Sequence, residues 1–418
     1  MKIYQPEVTE EGDEIRISAR VETRTCQVAL PDRLWFSFPR NFCTHITGDV
    51  NGFAVALLPL AMTLGEDLHM EGVLSPRLLR GMEEYQRIQC AWKPSPFVPV
   101  SLEPQILQPT AADSTGAGVG CSFSGGVDSA YSLWRHLPEN ERNPSYRISH
   151  CLMINGFGCD SDLDNSGSFS RIAQSTQPMM DRLGTQLIVC RTNYMAFSDP
   201  KILKQSFAAM VTSPALVLGG LFSTFFVPSS YRFDDFFRDG SHLMLDHLIA
   251  TETMETIHES SHLKRTDKTR AISQWSETYS TLRVCFNKTE YNEETKSVQN
   301  CCRCEKCIRT IKTLELYGKL DKYKTFPRKP GHLNVWLCHY DFKGARIFAK
   351  EIISEAFKAR RFDILIDYCI AIVTTGVFLV PRFLLRQIHL FVENRSDTYA
   401  KLVRRVFPHL SEKPRWIK

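Results

Sequence analysis

The sequence predicts an α/β protein whose central domain is built on a parallel sheet. Strand-like and helical segments alternate through the middle of the chain, as a parallel sheet requires. A glycine turn separates the first of these strands from the next helix, and the last part of the chain has helical apolar spacing. We therefore expect an N-terminal α+β domain over residues 1–110, an α/β domain over 116–325 and a helical C-terminal region over 331–418.

The N-terminal part combines short strands with two helices. Alternating side chains, or apolar runs between Pro and Asp breaks, predict strands at residues 14–21, 26–30 and 34–38. Residues 53–64 are predicted to form an apolar helix. A second helix should begin at Ser75, whose hydroxyl can cap it directly before Pro76, and end near residue 92. Residues 111–118 are expected to form the linker to the next domain.

The central domain is predicted to alternate strands and helices. Strands are expected at residues 118–121, 148–155, 186–191 and 224–227, and helices at 128–137 and 207–221. Ligands of such sheets collect at the carboxyl ends of the strands. We therefore expect Asn155 with residues 156–157, residues 191–193 and the segment after Val227 to surround a bound nucleotide.

The most specific feature is the sequence Ser-Gly-Gly-Val-Asp-Ser. It joins a strand to a helix, so unpaired N–H groups and the positive end of the helix dipole meet at one place. The glycines let the backbone approach phosphate oxygens, and the absence of a following lysine excludes the other common phosphate loop. The alternative is a turn that binds nothing. The predicted nucleotide-binding residues are Ser124, Gly125, Gly126, Val127, Asp128 and Ser129, with Asp128 holding the turn or helping to place Mg²⁺.

A second strong feature is a cluster of cysteines. Cys301, Cys304 and Cys307 have C-x2-C-x2-C spacing, and Cys285, in a strand-like segment, supplies a fourth thiolate. Four sulfurs on two short segments suit a closed tetrahedral Zn²⁺ site. Cys302 is left out because two adjacent cysteines rarely reach one ion. The competing interpretations are a disulfide cluster, an iron–sulfur cluster and a sulfur-transfer cysteine pair.

Two further segments offer candidate catalytic residues. His242 follows Ser241 in a turn that is expected to precede an apolar helix, and it is predicted to bind substrate or carry a proton. The alternative is a surface helix start capped by Ser241. In the charged run 262–270, Arg265 or Lys268 is a candidate to face the phosphates of a bound nucleotide and offset their charge, and a solvated helix face is the alternative.

Bulk properties restrict the class of protein. A formal charge of +5 over 418 residues does not by itself indicate nucleic-acid binding. The 14 cysteines and the lack of a recognisable signal peptide favour a reducing, cytoplasmic setting. The apolar stretch 364–380 contains Asp367 and is short for a membrane span, so a buried helix and no membrane contact are expected. Basic residues of the C-terminal region are assigned to a solubilising surface, with an RNA, DNA or acidic-protein contact as the alternative.

The loop resembles the PP-loop of the ATP-pyrophosphatase superfamily, whose members release pyrophosphate and transfer AMP to a substrate oxygen. Together with the cysteine cluster it resembles 7-cyano-7-deazaguanine synthase over about residues 116–318. The resemblance implies an adenine-nucleotide-hydrolase-like (HUP) fold, with ATP, Mg²⁺ and Zn²⁺ as cofactors. The chain departs from the family in its two extensions and in having Asn-Gly-Phe-Gly at 155–158, where a Tyr-Gly-Gln element is expected. It is closer to enlarged synthase-like proteins, some of which belong to bacterial antiphage systems.

The expected function is therefore that of an ATP-dependent, AMP-forming ligase. A carboxylate on a 7-deazapurine would be adenylated and then passed to ammonia or another amine, giving an amide or a nitrile. One alternative is a thiolation enzyme acting on tRNA or a small molecule. Another is a non-catalytic, nucleotide-binding subunit of a defence or modification complex. The N-terminal domain is a candidate to recruit a protein or nucleic-acid target.

Overall fold

The structure is a computed structural model that describes most of the chain up to residue 375. Residues outside the description are 28, 111–115, 158–160, 162, 164–166, 200–201, 236–237, 286, 288, 337, 339, 341–342, 374 and 376–418, together with the side chain of residue 168. Most of the predicted helical C-terminal region after residue 373 therefore lies outside the described residues. The chain divides into two compact units, Met1–Lys329 and Pro330–Lys418.

The first unit is an α/β structure with a large, mostly parallel sheet. Within the described residues, eleven strands join this sheet, and six of its ten pairings are parallel. Its strands are β1 Lys2–Ile3, β2 Glu7–Glu11, β3 Glu14–Glu22, β4 Arg33–Pro39, β5 Leu68–Leu74, β6 Leu102–Leu107, β7 Gly118–Ser122, β8 His150–Asn155, β9 Gln186–Thr192, β10 Phe222–Pro228 and β11 Glu255–Glu259. A separate hairpin pairs β12 (Glu290–Asn292) with β13 (Ser297–Gln299).

The order of the strands places the first central strand in the middle of a parallel half-sheet. The full order is β11-β10-β7-β8-β9-β4-β3-β1-β5-β6, with β2 paired to β3. From β9 to β11 every pairing is parallel, and the chain runs from β7 out to β9 before it returns to β10. This order reverses direction between β7 and β10. In open α/β sheets, such a reversal creates a crevice at the carboxyl ends of the two strands.

Eight helices of the first unit surround this sheet, counting the described residues alone: α1 Asn51–Leu64, α2 Pro76–Ala91, α3 Val127–Arg135, α4 Ser168–Leu183, α5 Phe207–Val217, α6 Arg265–Ile272, α7 Thr278–Thr281 and α8 Glu305–Leu316. The predicted cap of α2 is confirmed, since Ser75 Oγ accepts a hydrogen bond of 3.0 Å from the Leu78 N–H. α1 and α5 are apolar all round because both are almost fully buried.

Small residues let the central strand lie close to its neighbours. A Cβ on Gly120 of β7 would come within 2.7 Å of the rings of Phe222 and Phe225. Both rings are fully buried, so the position has no room for a side chain. The small, apolar sequence of β7 thus allows the aromatic residues of β10 to pack beside the loop that follows.

Three sequence predictions need correction. Residues 26–30 form no strand at the positions described, because Arg24 and Thr25 instead donate hydrogen bonds from their backbone N–H groups to Glu66. The segment 282–285 is extended but pairs with no strand. The helix expected after His242 is replaced by turns and a short 3₁₀ helix, Asp246–Leu248, because the Asp246 carboxylate accepts the His242 N–H across that turn.

The strands of the N-terminal part continue the same sheet as the strands of the central part. β4 pairs antiparallel with β9, with Phe36 opposite Thr192 and Ser37 opposite Arg191. The Asn193 side chain adds two bonds to this pairing, one to the Arg33 carbonyl (2.8 Å) and one from the Trp35 N–H (3.0 Å). The predicted domain boundary at residue 110 therefore falls within a unit whose sheet is continuous.

The second unit is helical where it is described. It contains α9 (His332–Trp336), α10 (Lys343–Lys358) and a helical stretch over residues 362–373. Asp367 is buried and accepts hydrogen bonds from the Trp336 indole (2.9 Å) and the His332 ring (2.7 Å). Throughout the described residues of both units, no helix combines the length and apolarity that a bilayer crossing requires.

Candidate nucleotide site and metal centre

The Ser-Gly-Gly loop forms an open turn at the carboxyl end of β7. Gly125 has a φ of +72°, a conformation that favours glycine, and Gly126 is the N-cap residue of α3. Ser129 Oγ donates to the Gly126 carbonyl (3.2 Å), which fixes the turn from inside, while the Ser124 residue is exposed. The first N–H groups of α3 have no acceptors within the helix. Gly126 and Asp128 are half-buried, so part of the loop is accessible from outside.

The loop lies at the reversal point of the strand order. β7 leads into it, and the neighbouring strand β10 ends at Pro228 and leads into Ser229 and Ser230. Ser230 Oγ donates a hydrogen bond of 3.0 Å to Asp128 Oδ2, which joins the two sides of the crevice. The loop and the segment after β10 thus meet where nucleotides bind in sheets of this kind.

Asp128 is the centre of the charged part of the site. One of its oxygens, Oδ2, forms an ion pair with Arg265 in addition to the Ser230 hydrogen bond. Burial favours a raised pKa for Asp128, but the positive charges of Arg265, Lys268 and Arg309 outweigh this and hold its pKa below the ordinary value. The other oxygen, Oδ1, is buried and has no hydrogen-bond partner in the described part of the chain. Asp128 therefore both holds the turn and offers an unused oxygen.

The cations around Asp128 come from two helices. Arg265 and Lys268 belong to α6, which packs between α3 and α8, and Arg309 belongs to α8. Lys268 is 1% exposed, and its Nζ donates to the Ser229 carbonyl at 2.6 Å, so the solvated-helix alternative for this charged run is wrong for Lys268. Buried cations in such number are costly unless anions compensate them. Their arrangement suits a polyanionic ligand.

A short extended segment connects the loop to the cysteine cluster. The Arg283 N–H donates to the Gly125 carbonyl at 2.8 Å, and its guanidinium donates to the Ser124 carbonyl at 3.3 Å. Two residues later, Cys285 lies in the cluster. Asn300 holds this segment from the other side by accepting the N–H groups of Val284 (2.9 Å) and Cys285 (3.1 Å). The position of the loop therefore depends on the segment that ends at the cluster.

The four predicted cysteines come together in one cluster. The sulfurs of Cys285, Cys301, Cys304 and Cys307 all lie within 4.8 Å of one another. The Sγ–Sγ separations are 3.9 Å for Cys285–Cys304, 3.8 Å for Cys301–Cys307 and 3.4 Å for Cys304–Cys307. A Zn–S bond of about 2.3 Å in a tetrahedron separates sulfurs by roughly 3.8 Å. The cluster could hold a metal ion such as Zn²⁺.

Cys302 is directed away from the cluster. Its backbone adopts a left-handed conformation (φ 57°), and its buried Sγ donates to the Asn300 carbonyl at 3.3 Å. This turn lets Cys301 and Cys304 converge on one point, while Cys302 packs into the core beside α8. The prediction that Cys302 is not a ligand agrees with this geometry.

A cavity adjoins the loop on the side of β10 and β11. It encloses about 510 Å³ of empty space, part of which is open solvent. His242 lines it together with Ser230, the residue that bonds to Asp128. The His242 ring packs edge-to-face against Trp92 at a centroid distance of 5.2 Å, and burial together with the nearby His258 lowers its pKa. His242, a catalytic candidate from the sequence, therefore lies in this cavity.

Three cavity residues escaped sequence reasoning. Asp239, Ser241 and His258 line the cavity, and the buried Asp246 binds behind them. His258 lies in β11, a short strand that shows no functional pattern of its own. Only the pairing of β11 with β10 brings it to the crevice. The sequence predicts no strand at this position, so His258 gave no signal of its own.

The remaining predicted site residues lie on the opposite side of β7. Asn155 is buried at the carboxyl end of β8, opposite Arg191 in the parallel ladder. Arg191 pairs with Glu14 at 3.2 Å, and Asn193 bonds to the backbone of β4, so residues 191–193 take part in joining the two halves of the sheet. The structure therefore brings together the loop, Asp128, Lys268 and the cysteine cluster, with His242 in the adjoining cavity.

No family model, curated protein or solved structure matches this chain. The functional assignment therefore depends on the residues of this chain and on their geometry.

Proposed function

We propose that this protein is an ATP-dependent synthase that forms AMP and pyrophosphate while it joins a carboxylate to an amine. The observation that carries the proposal is the convergence of buried Arg265, Lys268 and Arg309 on Asp128, beside an open glycine loop at the reversal point of the sheet. A polyanion with a reactive phosphate fits this arrangement better than a neutral ligand. The strand order from β9 to β11 also supports an adenine-nucleotide-hydrolase-like (HUP) domain with a PP-loop.

Each group of residues in the site would have a separate role in the reaction. The N–H groups of the loop and of the first turn of α3 hold the terminal phosphates of ATP. A carboxylate oxygen attacks the α-phosphorus, and the bond to the β-phosphate oxygen breaks. The buried cations of α6 and α8 offset the charge that builds up on the departing pyrophosphate. An amine then displaces AMP from the acyl adenylate.

The chain also offers a position for each proposed metal ion. Asp128 Oδ1 is a buried carboxylate oxygen without a hydrogen-bond partner among the described residues, which suits Mg²⁺ beside phosphate. Mg²⁺ would neutralise phosphate charge there. The four thiolates suit Zn²⁺, which would hold the start of α8 and the segment after Leu282 in place. The resemblance of these two motifs makes 7-carboxy-7-deazaguanine, or a related 7-deazapurine, the carboxylate that we propose.

The decisive experiment measures AMP and pyrophosphate. The protein is incubated with ATP, Mg²⁺ and 7-carboxy-7-deazaguanine, with and without ammonium, and the products are identified by mass spectrometry. We expect equal amounts of AMP and pyrophosphate, both dependent on the carboxylate. Asp128→Asn and Lys268→Gln should lower the rate by about 100-fold or more, as loss of a preorganised charged group does. Arg182→Gln is the matched control, because its side chain is 58% exposed and pairs with Glu277 on the surface.

The outcomes separate the proposal from its alternatives. Tight ATP binding without AMP formation would favour a nucleotide-binding subunit of a larger complex. A thiolation enzyme would need a reactive cysteine, yet Cys302 is buried and bonded to a carbonyl, and Cys304 belongs to the cluster. Those positions support the synthase over sulfur transfer. Release of ADP and phosphate in place of AMP would contradict the proposal.

A further inference from the structure

The cavity beside the loop contains a buried carboxylate–imidazole pair. Asp246 is fully buried, and its Oδ2 lies 2.8 Å from His258 Nδ1. Asp246 Oδ1 accepts the His242 N–H at 3.0 Å, and its Oδ2 also accepts the Ser241 hydroxyl at 2.7 Å. The carboxylate is thus held on three sides, and it fixes the orientation of the imidazole ring.

This arrangement assigns the two ring nitrogens of His258 different tasks. An ionised Asp246 requires a proton on Nδ1, so Nε2 carries the lone pair that can accept a proton from the cavity that His258 lines. Ser241 lies on the Nδ1 side of the ring, with Oγ 3.4 Å from that atom. A serine nucleophile would have to bond to Nε2, so this is not a serine-hydrolase triad.

Other groups in the cavity suit a cation. Asp239 lines it, and burial raises the pKa of this carboxyl to about 6, which still leaves it ionised at neutral pH. The rings of Tyr231 and Phe233 line the same space, and aromatic faces attract cations. Ser230 connects the cavity to Asp128 through its 3.0 Å hydrogen bond. A cation bound here would lie next to the proposed site of acyl transfer.

We infer that this cavity binds the attacking amine and that His258, oriented by Asp246, accepts its proton. The inference deepens the proposed function and rests on it for the identity of the acyl donor. The amine binds as its ammonium ion beside Asp239 and loses one proton to solvent. Its lone pair then attacks the acyl carbon, the C–N bond forms, and the bond to the AMP oxygen breaks with its electron pair leaving on AMP. The second proton passes from nitrogen to Nε2 of His258.

The catalytic arm of the test compares two nucleophiles, hydroxylamine and ethylamine. Each is added to the full-length protein together with ATP, Mg²⁺ and 7-carboxy-7-deazaguanine. Hydroxylamine traps acyl adenylates without needing a strong base, whereas ethylamine needs proton removal. His258→Gln should form the hydroxamate at the wild-type rate but the ethylamide roughly 100-fold more slowly, as loss of a general base predicts. Asp246→Asn should shift the pH profile of ethylamide formation. His247→Gln is the control, because this neighbouring histidine is exposed and bonds only to a backbone carbonyl among the contacts described.

A second arm of the test measures binding of the amine in the absence of catalysis. Trp92 packs on His242 at the cavity, so ethylammonium should change a fluorescence signal that is missing in Trp92→Phe. Asp239→Asn should abolish the change, and tetramethylammonium, which has no N–H donors, should not reproduce it.

The outcomes distinguish the two proposals. Equal rates of ethylamide formation in wild type and His258→Gln, or equal losses with both nucleophiles, would overturn the role of His258. A binding signal that is independent of Asp239 would overturn the amine site. A wild-type protein that forms neither hydroxamate nor pyrophosphate would overturn the proposed function, and the binding arm alone would then decide whether the cavity takes an amine.

Discussion

At the scale of single residues, Gly125 is the position at which backbone conformation and proposed function coincide. Its φ of +72° is a left-handed conformation, and a Cβ there would meet its nearest atoms at 3.7 Å, an ordinary contact. Gly318, after α8, has a φ of +62° and nothing within 4 Å of a Cβ. The two glycines therefore share the same conformational strain on substitution, but only Gly125 lies in the loop.

Substituting alanine at these two glycines should separate stability from binding. Gly125→Ala and Gly318→Ala should each lower the free energy of unfolding by about 1–2 kcal/mol, the cost of a left-handed alanine. ATP affinity should fall by about tenfold, or about 1.4 kcal/mol, for Gly125→Ala only. Urea denaturation and calorimetric titration measure the two quantities. Equal ATP affinity in the two variants would contradict a phosphate-binding role for the loop.

Asp239 provides a test by pH. Burial raises the pKa of the Asp239 carboxyl to about 6 in the folded protein, above its ordinary value of 3.8. The stability that this carboxyl contributes is therefore full below about pH 3.8 and is lost as the pH rises through about 6. Asp239→Asn should therefore gain stability relative to wild type between about pH 5 and about pH 7, by at most about 3 kcal/mol. Denaturation at both pH values measures this change. Asp321→Asn, at an 86% exposed position, is the control and should show no such gain.

At the scale of elements, the cysteine cluster and the loop are mechanically connected. α8 begins directly after Cys304, contains Cys307 and carries Arg309 toward Asp128. The segment that ends at Cys285 bonds to the loop through Arg283. Both connections converge on the glycine loop and Asp128. An ion in the cluster would therefore stabilise the proposed nucleotide site without direct contact with it.

Replacing one ligand should weaken both metal and nucleotide binding. Cys307→Ser should lower the metal content from one Zn²⁺ per chain and reduce ATP affinity by at least about tenfold, because the start of α8 is released. Cys302→Ser is the matched control, since its sulfur faces the Asn300 carbonyl and should leave metal content unchanged. Metal analysis and ATP titration provide the readouts. Full ATP affinity in a metal-free Cys307→Ser protein would separate the two sites.

At the scale of the whole molecule, the unit Met1–Lys329 is organised by one sheet. β4 and β9 connect its N-terminal and central strands, and Gly52 of α1 lies so close to α5 that a Cβ would come within 2.6 Å of Val217. A side chain at Gly52 would force these two buried helices apart. The packing of the two halves is therefore as close as that of a single core.

This continuity predicts cooperative unfolding of the first unit. Amide hydrogen exchange in increasing urea should lose protection in β3 and in β8 at the same denaturant concentration, because neither half can open without exposing the β4–β9 pairing. Exchange measured by mass spectrometry tests this. Earlier loss of protection in β3 would show that the N-terminal strands form an independently stable domain.

Much of the fold could be predicted from local pattern. The cap of α2 at Ser75, the strand at β3 and the apolar helix α1 follow from a few consecutive residues, and the structure confirms them. The failures have a common cause. In both places a carboxylate accepts backbone N–H groups beside the segment: Glu66 binds those of Arg24 and Thr25, just before residues 26–30, and Asp246 binds that of His242.

The chain's own sequence determined the glycine loop and the cysteine spacing, since each requires only neighbouring residues to adopt its geometry. Tertiary structure alone decided what surrounds them. Asp128 meets Ser230 and Arg265 from 102 and 137 residues away, and His258 reaches the cavity only because β11 pairs with β10. Strand order and register depend on burial across the whole sheet, which no local pattern encodes.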